Sequence, residues 1–285
     1  MHISTFWLDN KGTPLAEVTF DIDGQSRNGT TPDIGSDEFV SSKPPMAGTY
    51  IIGTGGNFTT WNQAIDSLNV LGVSDSVIFL VKSGTYFEQF EINSISGTDS
   101  IKKIRFQAQS GLASDVILSY SSASSLDNFI VKLGNADFVT FKNLTFTPTG
   151  LTGYAKAIYV TGGSGYITFD QCVFNGPTGY NSLNAALIQV DNSNSNNFTL
   201  TNNTFNNGGY GMAFTGISTA NPAKTLKLNK NTFNDQYYPI SVNYCSGIYI
   251  QSNILNDVLA DGIYFSYCSG EMKIIANKIY GNSDY

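Results

Sequence analysis

A short pattern returns six times after residue 139, at spacings between 22 and 31 residues, and it limits this chain to a few architectures. The copies open at Val139-Thr140-Phe141, Ile167-Thr168-Phe169, Phe198-Thr199-Leu200, Leu226-Lys227-Leu228, Ile248-Tyr249-Ile250 and Met272-Lys273-Ile274. Five residues after each start stand Leu144, Cys172, Asn203, Asn231, Asn253 and Asn277. Two residues further on come Phe146, Phe174, Phe205, Phe233, Leu255 and Ile279. A second alternating segment precedes each copy, as in Phe129-Ile130-Val131, Leu187-Ile188-Gln189-Val190 and Ile263-Tyr264-Phe265. Period-two alternation over so few residues means a strand with one buried face.

Two or three such strands per repeat, with no helix between them, cannot build a βαβ unit. They can build one coil of a solenoid in which each strand pairs with its equivalent in the next coil. The fold expected is all-β, a right-handed parallel β-helix with an N-terminal capping α-helix. The Asn column fits, because the turns between sheets need a left-handed residue and Asn tolerates that conformation. Stacked about 4.8 Å apart, Asn amides can also bond along the axis. Cys245 and Cys268 share a repeat position in Tyr-Cys-Ser-Gly and should stack as thiols. With Cys172 they lack both disulfide and zinc spacing and read as small buried residues.

Composition narrows the function. Charged residues make up 13% of the chain, while polarity comes from Asn, Ser, Thr and 28 Gly, the mixture of short strands and tight turns. A net charge of −7, with Arg27 and Arg105 the only arginines, argues against a nucleic-acid partner. No apolar run is long enough to span a membrane, and residues 1–6 lack the regions of a signal peptide.

Ahead of the repeats, Trp61 to Leu71 reads as a helix. Thr60 followed by Gln63 makes a capping box and Gly72 a stop, and Trp61, Ala64, Ile65, Leu68 and Leu71 share one face. A solenoid needs its first coil covered, and this helix suits that role. Val77 to Val81 and Tyr86 to Ile92 read as strands joined across Lys82-Ser83-Gly84-Thr85.

Asn57-Phe58-Thr59-Thr60 with Ala64-Ile65, then Val77-Ile78-Phe79 and Gly84-Thr85-Tyr86-Phe87-Glu88, resembles the opening of pectinesterases and related pectin-lyase-like β-helices. Asp21-Ile22-Asp23-Gly24, Arg27 and Pro32-Asp33-Ile34-Gly35-Ser36-Asp37-Glu38-Phe39 resemble the closing segment of β-helix modules in large surface proteins of the Bacteroidetes. The resemblances imply a closing segment over 1–39, a linker over 40–47 and a β-helix over 48–285. The last of these stops within a coil, which predicts a longer protein.

The resemblance does not extend to pectinesterase chemistry. That family uses two aspartates, an arginine and glutamines on the outer face. After Cys172-Val173-Phe174-Asn175-Gly176, where its pattern continues Tyr-Gln-Asp, this chain has Pro177-Thr178-Gly179. Lys156 stands at a family glutamine, the second aspartate falls near Tyr210, and no arginine follows Arg105. No catalytic residue is therefore assigned. Lys142 and Asp170, in equivalent outward positions, read as an exposed ion pair. Asp257, Asp261 and Glu271 read as solvated turn carboxylates rather than a glycosidase pair, and His2 has no triad partner. Asp21 and Asp23 resemble the start of a calcium loop but lack its closing Glu. No cofactor is expected, with calcium the one candidate. The outward column Thr140, Thr168, Thr199 is broken by Lys227, Tyr249 and Lys273, so it is no flat ice-binding array. Outward Tyr249 and Tyr264 are candidate sugar platforms, with Tyr237, Tyr238, Tyr244 and Tyr267 in nearby turns.

The resulting reading is a non-catalytic β-helix module of a large secreted or cell-surface protein, acting as a rigid spacer or adhesin segment. Its partners would be a polysaccharide or surface glycan and other modules of the same protein. Two alternatives stay open: a polysaccharide lyase or glycoside hydrolase of the pectin-lyase-like class, and a carbohydrate-binding module using the outward tyrosines.

Overall fold

The computed structural model describes residues 8–39, 43–150, 153–191 and 193–282; His2 and residues 40–42 of the expected linker lie outside them. From Met46 the chain winds through three all-parallel sheets. The first sheet has nine strands, from Met46–Ile52 to Ser269–Ile275. The second has eight, from Gly84–Phe87 to Lys278–Gly281, and the third seven, from Phe90–Asn93 to Ile263–Ser266. Each strand pairs with its equivalent one coil away, so a repeat position in the sequence becomes a column along the axis.

The register is set by inward aromatic columns. Phe79, Phe106, Phe141 and Phe169 pair in succession, with ring centroids 4.7, 5.4 and 5.1 Å apart. Phe146, Phe174, Phe205 and Phe233 do the same at 5.1, 4.7 and 4.6 Å. All eight rings are fully buried. Such stacks contribute about 0.5–1.5 kcal/mol per pair beyond burial. A slip by one residue would turn every Phe to solvent.

The Asn column is buried at the corner between the first and second sheets, but Asn is not there for a left-handed backbone. The left-handed residues are those just before it: Asn143, Gln171, Asn202, Lys230, Ser252 and Ala276, with φ between 52° and 56°. The column Asn instead fills the corner with hydrogen bonds. Each of Asn203, Asn231 and Asn253 donates Nδ2 to the next Asn Oδ1, at 2.9 to 3.0 Å. Each also donates to a carbonyl of the preceding coil: Phe169, Leu200 and Leu228. The backbone N–H of each donates in turn to the Oδ1 ahead. A second ladder runs outside the solenoid, where Asn206, Asn234 and Asn256 donate to Asn175, Asn206 and Asn234.

The predicted helix forms over Trp61–Leu71. Thr60 Oγ1 accepts from the Gln63 N–H, as a capping box requires, but Gln63 Oε1 reaches back to Thr59 rather than to Thr60. Glu88 supplies the remaining cap, its carboxylate accepting from the backbone N–H of Trp61 and Asn62. The helix lays Trp61 against Phe90 and Phe106, both at 5.2 Å, and so closes the first coil. Tyr86 to Ile92, expected as one strand, is two: Gly84–Phe87 in the second sheet and Phe90–Asn93 in the third, with a corner between. Cys245 and Cys268 sit one rung apart as free thiols, Cys245 buried and Cys268 half-buried.

Candidate functional site

The outward residues of the third sheet form the column Lys132, Tyr159, Gln189, Ala213, Ser241 and Tyr264. An outward position on a sheet is ordinarily solvated. Here Gln189 is only 8% exposed, and its Oε1 has no hydrogen-bond partner among the described residues. A buried carbonyl oxygen left without a donor costs about 1–3 kcal/mol. One rung before it, the Tyr159 hydroxyl donates to Asp191 Oδ2 at 3.2 Å, and the Lys156 ammonium lies 4.9 Å from the Tyr159 ring centroid. Asn128 fixes Lys156 from behind: its Oδ1 accepts the Lys156 N–H while its Nδ2 donates to the Asn184 carbonyl.

Electrostatics follow from that burial. Desolvation pushes the Lys156 pKa below the ordinary lysine value, against the pull of Asp191. Desolvation, and then Asp191, push the Tyr159 phenol up. The set therefore offers a cation that gains from an anionic partner, a carboxylate and an aromatic ring, while the Gln189 carbonyl beside them is sealed from solvent. Those are the groups that bind a sugar through hydroxyls and a carboxylate. Three residues before the Gln189 column runs another, in which Ala186, Tyr210 and Tyr238 pair in succession and the two tyrosine rings stack at 4.6 Å.

The sequence-predicted residues separate. Tyr264 lies on the third sheet, three rungs beyond Gln189, whereas Tyr249 lies on the first sheet between Lys227 and Lys273. The two tyrosines do not form one surface. Lys142 and Asp170 pair across the first sheet, part-exposed as expected. Asp257 belongs to a second-sheet strand and Glu271 to a first-sheet strand, so with Asp261 they do not face a common groove. In the N-terminal segment, Asp21 Oδ1 accepts from the N–H of Asp23 and Gln25, and Oδ2 from that of Glu38. Arg27 donates to the carbonyls of Asp33 and Gly35 and pairs with Glu38 at 3.4 Å. Asp21 thus closes a turn of its own segment.

Sequence reasoning considered Lys156 only as a substitution and missed Tyr159, Gln189 and Asp191. The alternation of Ile188-Gln189-Val190 already aims Gln189 outward, but nothing in the sequence signals that the position is covered.

Comparison with known proteins gives three findings. No curated protein sequence matches. Among solved structures, the deglycosylated pectin methylesterase of Aspergillus niger is 15% identical, with a TM-score of 0.48 over 80% of this chain and 87% of that one. A mannuronic acid specific polysaccharide family 6 lyase from human gut microbiota is also 15% identical, with a TM-score of 0.36 over 81% of this chain and 51% of that one. A family model described as the right handed beta helix region matches residues 128–285. That stretch exceeds half of the chain and coincides with the stacked coils, and the chain belongs to the right-handed β-helix family.

Proposed function

We propose that this chain is a rigid β-helical module of a secreted or cell-surface protein, an adhesive segment that holds a saccharide on the outer face of its third sheet. The observation that carries the proposal is the half-buried Tyr159–Asp191 hydrogen bond on this outer face, with the Lys156 ammonium 4.9 Å from the Tyr159 ring centroid. A sugar hydroxyl donates to Asp191 and a sugar carboxylate offsets the Lys156 charge, while the stacked coils keep both groups fixed before the ligand arrives. The test is calorimetric titration with short acidic oligosaccharides, comparing the parent with Asp191→Asn and Lys156→Met. Loss of either group is expected to weaken binding about tenfold, equivalent to about 1.4 kcal/mol. Unchanged affinity in both variants would sink the assignment.

One observation favours a second reading. A lysine pushed toward its neutral form beside a tyrosine and a carboxylate is equipped to take a proton α to a uronate carboxyl, the first step of polysaccharide β-elimination. Incubation with polyuronates, followed by ultraviolet absorbance of an unsaturated product, separates the two. Product formation that stops in Lys156→Met supports the lyase, and binding without product supports the adhesive module.

A further inference from the structure

The protein is acidic overall, at −7. One rung of the first sheet contradicts that balance. Lys224, Lys227 and Lys230 lie on and just after the strand Ala223–Asn229, all exposed, and no carboxylate among the described residues pairs with them. Strict alternation would turn Lys224 and Lys227 to opposite faces. They share a face because Thr225 between them takes a left-handed conformation, φ 59°, and resets the alternation. A β-branched residue rarely adopts that backbone. The equivalent positions one rung either side hold Asn197 and Gly247, which tolerate it. Strain of about 1–3 kcal/mol is thus kept at the point that exposes the lysines.

Along the axis the same face carries a second regularity. Lys227, Tyr249 and Lys273 are register partners on successive rungs, about 4.8 Å apart each. The two ammonium groups stand 6.0 and 5.7 Å from the Tyr249 ring centroid. Glu271 holds the ring in place, accepting from the Tyr249 hydroxyl at 2.6 Å and pairing with Lys273 at 2.7 Å. Together with Thr199, Thr201 and Gln251 they line an open groove of about 550 Å³. A cation, an aromatic ring held by Glu271 and a second cation therefore succeed one another at a step of one rung, and like charges recur every second rung, about 10 Å.

We infer that this groove binds a linear acidic glycan in which charged sugars alternate with uncharged ones, lying along the solenoid axis. The charged units meet Lys227 and Lys273, and the uncharged unit between them lies against the edge of the Tyr249 ring, whose faces the two ammonium groups cover. A polymer charged at every sugar puts a carboxylate beside Glu271, which holds the Tyr249 hydroxyl and repels it. The groove lies on a different sheet from Lys156 and Gln189, so its occupation does not depend on theirs.

The test uses the whole chain and three oligosaccharides of equal length: alternating glucuronate and N-acetylglucosamine, homogeneous galacturonate, and uncharged N-acetylglucosamine. The alternating oligomer is expected to bind at least tenfold more tightly than either other. Tyr249→Ala and Lys227→Ala, both at solvent-facing positions, are each expected to weaken it about tenfold, while Lys103→Ala, exposed just before the strand Ile104–Ala108 on a much earlier rung, leaves it unchanged. Equal binding of the homogeneous uronate would overturn the alternation. Binding lost in Lys156→Met but kept in Lys227→Ala would move the ligand to the third sheet, and absence of binding to all three would overturn the inference.

Discussion

The buried Asn ladder gives a direct test of what holds the coils in register. Asn231 uses its whole amide: Nδ2 donates to the Leu200 carbonyl and Asn253 Oδ1, and Oδ1 accepts from the N–H and the Nδ2 of Asn203. Asn231→Leu removes all four contacts while keeping the volume similar. The Asn203 backbone N–H loses the acceptor it has and is orphaned in the core, at about 1–3 kcal/mol. The Asn203 Nδ2, Asn253 Oδ1 and Leu200 carbonyl lose one partner each, at about 0.5–1.5 kcal/mol. The added apolar burial returns about 1.5–3 kcal/mol, leaving a net destabilisation of about 3 kcal/mol. Asn256→Ala on the half-buried outer ladder deletes one bond at a wetter site and should cost about 0.5–1 kcal/mol. Urea unfolding followed by circular dichroism gives both values, and hydrogen exchange at the Asn203 amide gives the local effect. Equal costs for the two variants, or an Asn203 amide that exchanges as slowly as in the parent, would refute the claim that the inner amides satisfy the corner.

Three further outcomes are expected. Glu88→Ala should free the first N–H groups of the helix and destabilise the fold by about 1–2 kcal/mol, with faster exchange at Trp61 and Asn62. Burial pushes the Cys172 and Cys245 thiols up to about 12, so a thiol reagent at neutral pH should label half-buried Cys268 first and the other two only after unfolding. Because the folded state lowers the Lys156 pKa, the unfolded chain binds more protons between that value and the ordinary one near about 10.4. Stability should therefore rise with pH across that window. Melting temperatures of Lys156→Met should show a shallower rise, and an identical slope would contradict the desolvation.

The solenoid was legible in the sequence because its cause is local. Alternation at Val139-Thr140-Phe141 and its five copies names the inward face, and identical rings at one repeat position name the register. The corner chemistry was only half legible. Asn203, Asn231 and Asn253 advertise themselves as a column, but whether an Asn serves its backbone angle or its amide depends on which way the corner turns. The neighbouring Lys230, Ser252 and Ala276 show that this corner accepts almost any residue at positive φ. The site resisted reading for a different reason. Gln189 looks like any outward strand residue until tertiary packing covers it, and Lys224 and Lys227 share a face only because Thr225 adopts a backbone its side chain disfavours.

The two Asn ladders run in opposite senses. On the inner ladder each Asn-to-Asn bond runs toward the C-terminal coils, Asn203 to Asn231 to Asn253 to Asn277; on the outer one each runs back, Asn256 to Asn234 to Asn206 to Asn175. Amide dipoles aligned head to tail sum along an axis, as they do in a helix. Here the two series subtract. A stack of this kind can gain coils without accumulating opposite partial charges at its two ends, which frees its length from an electrostatic limit that a single ladder would impose.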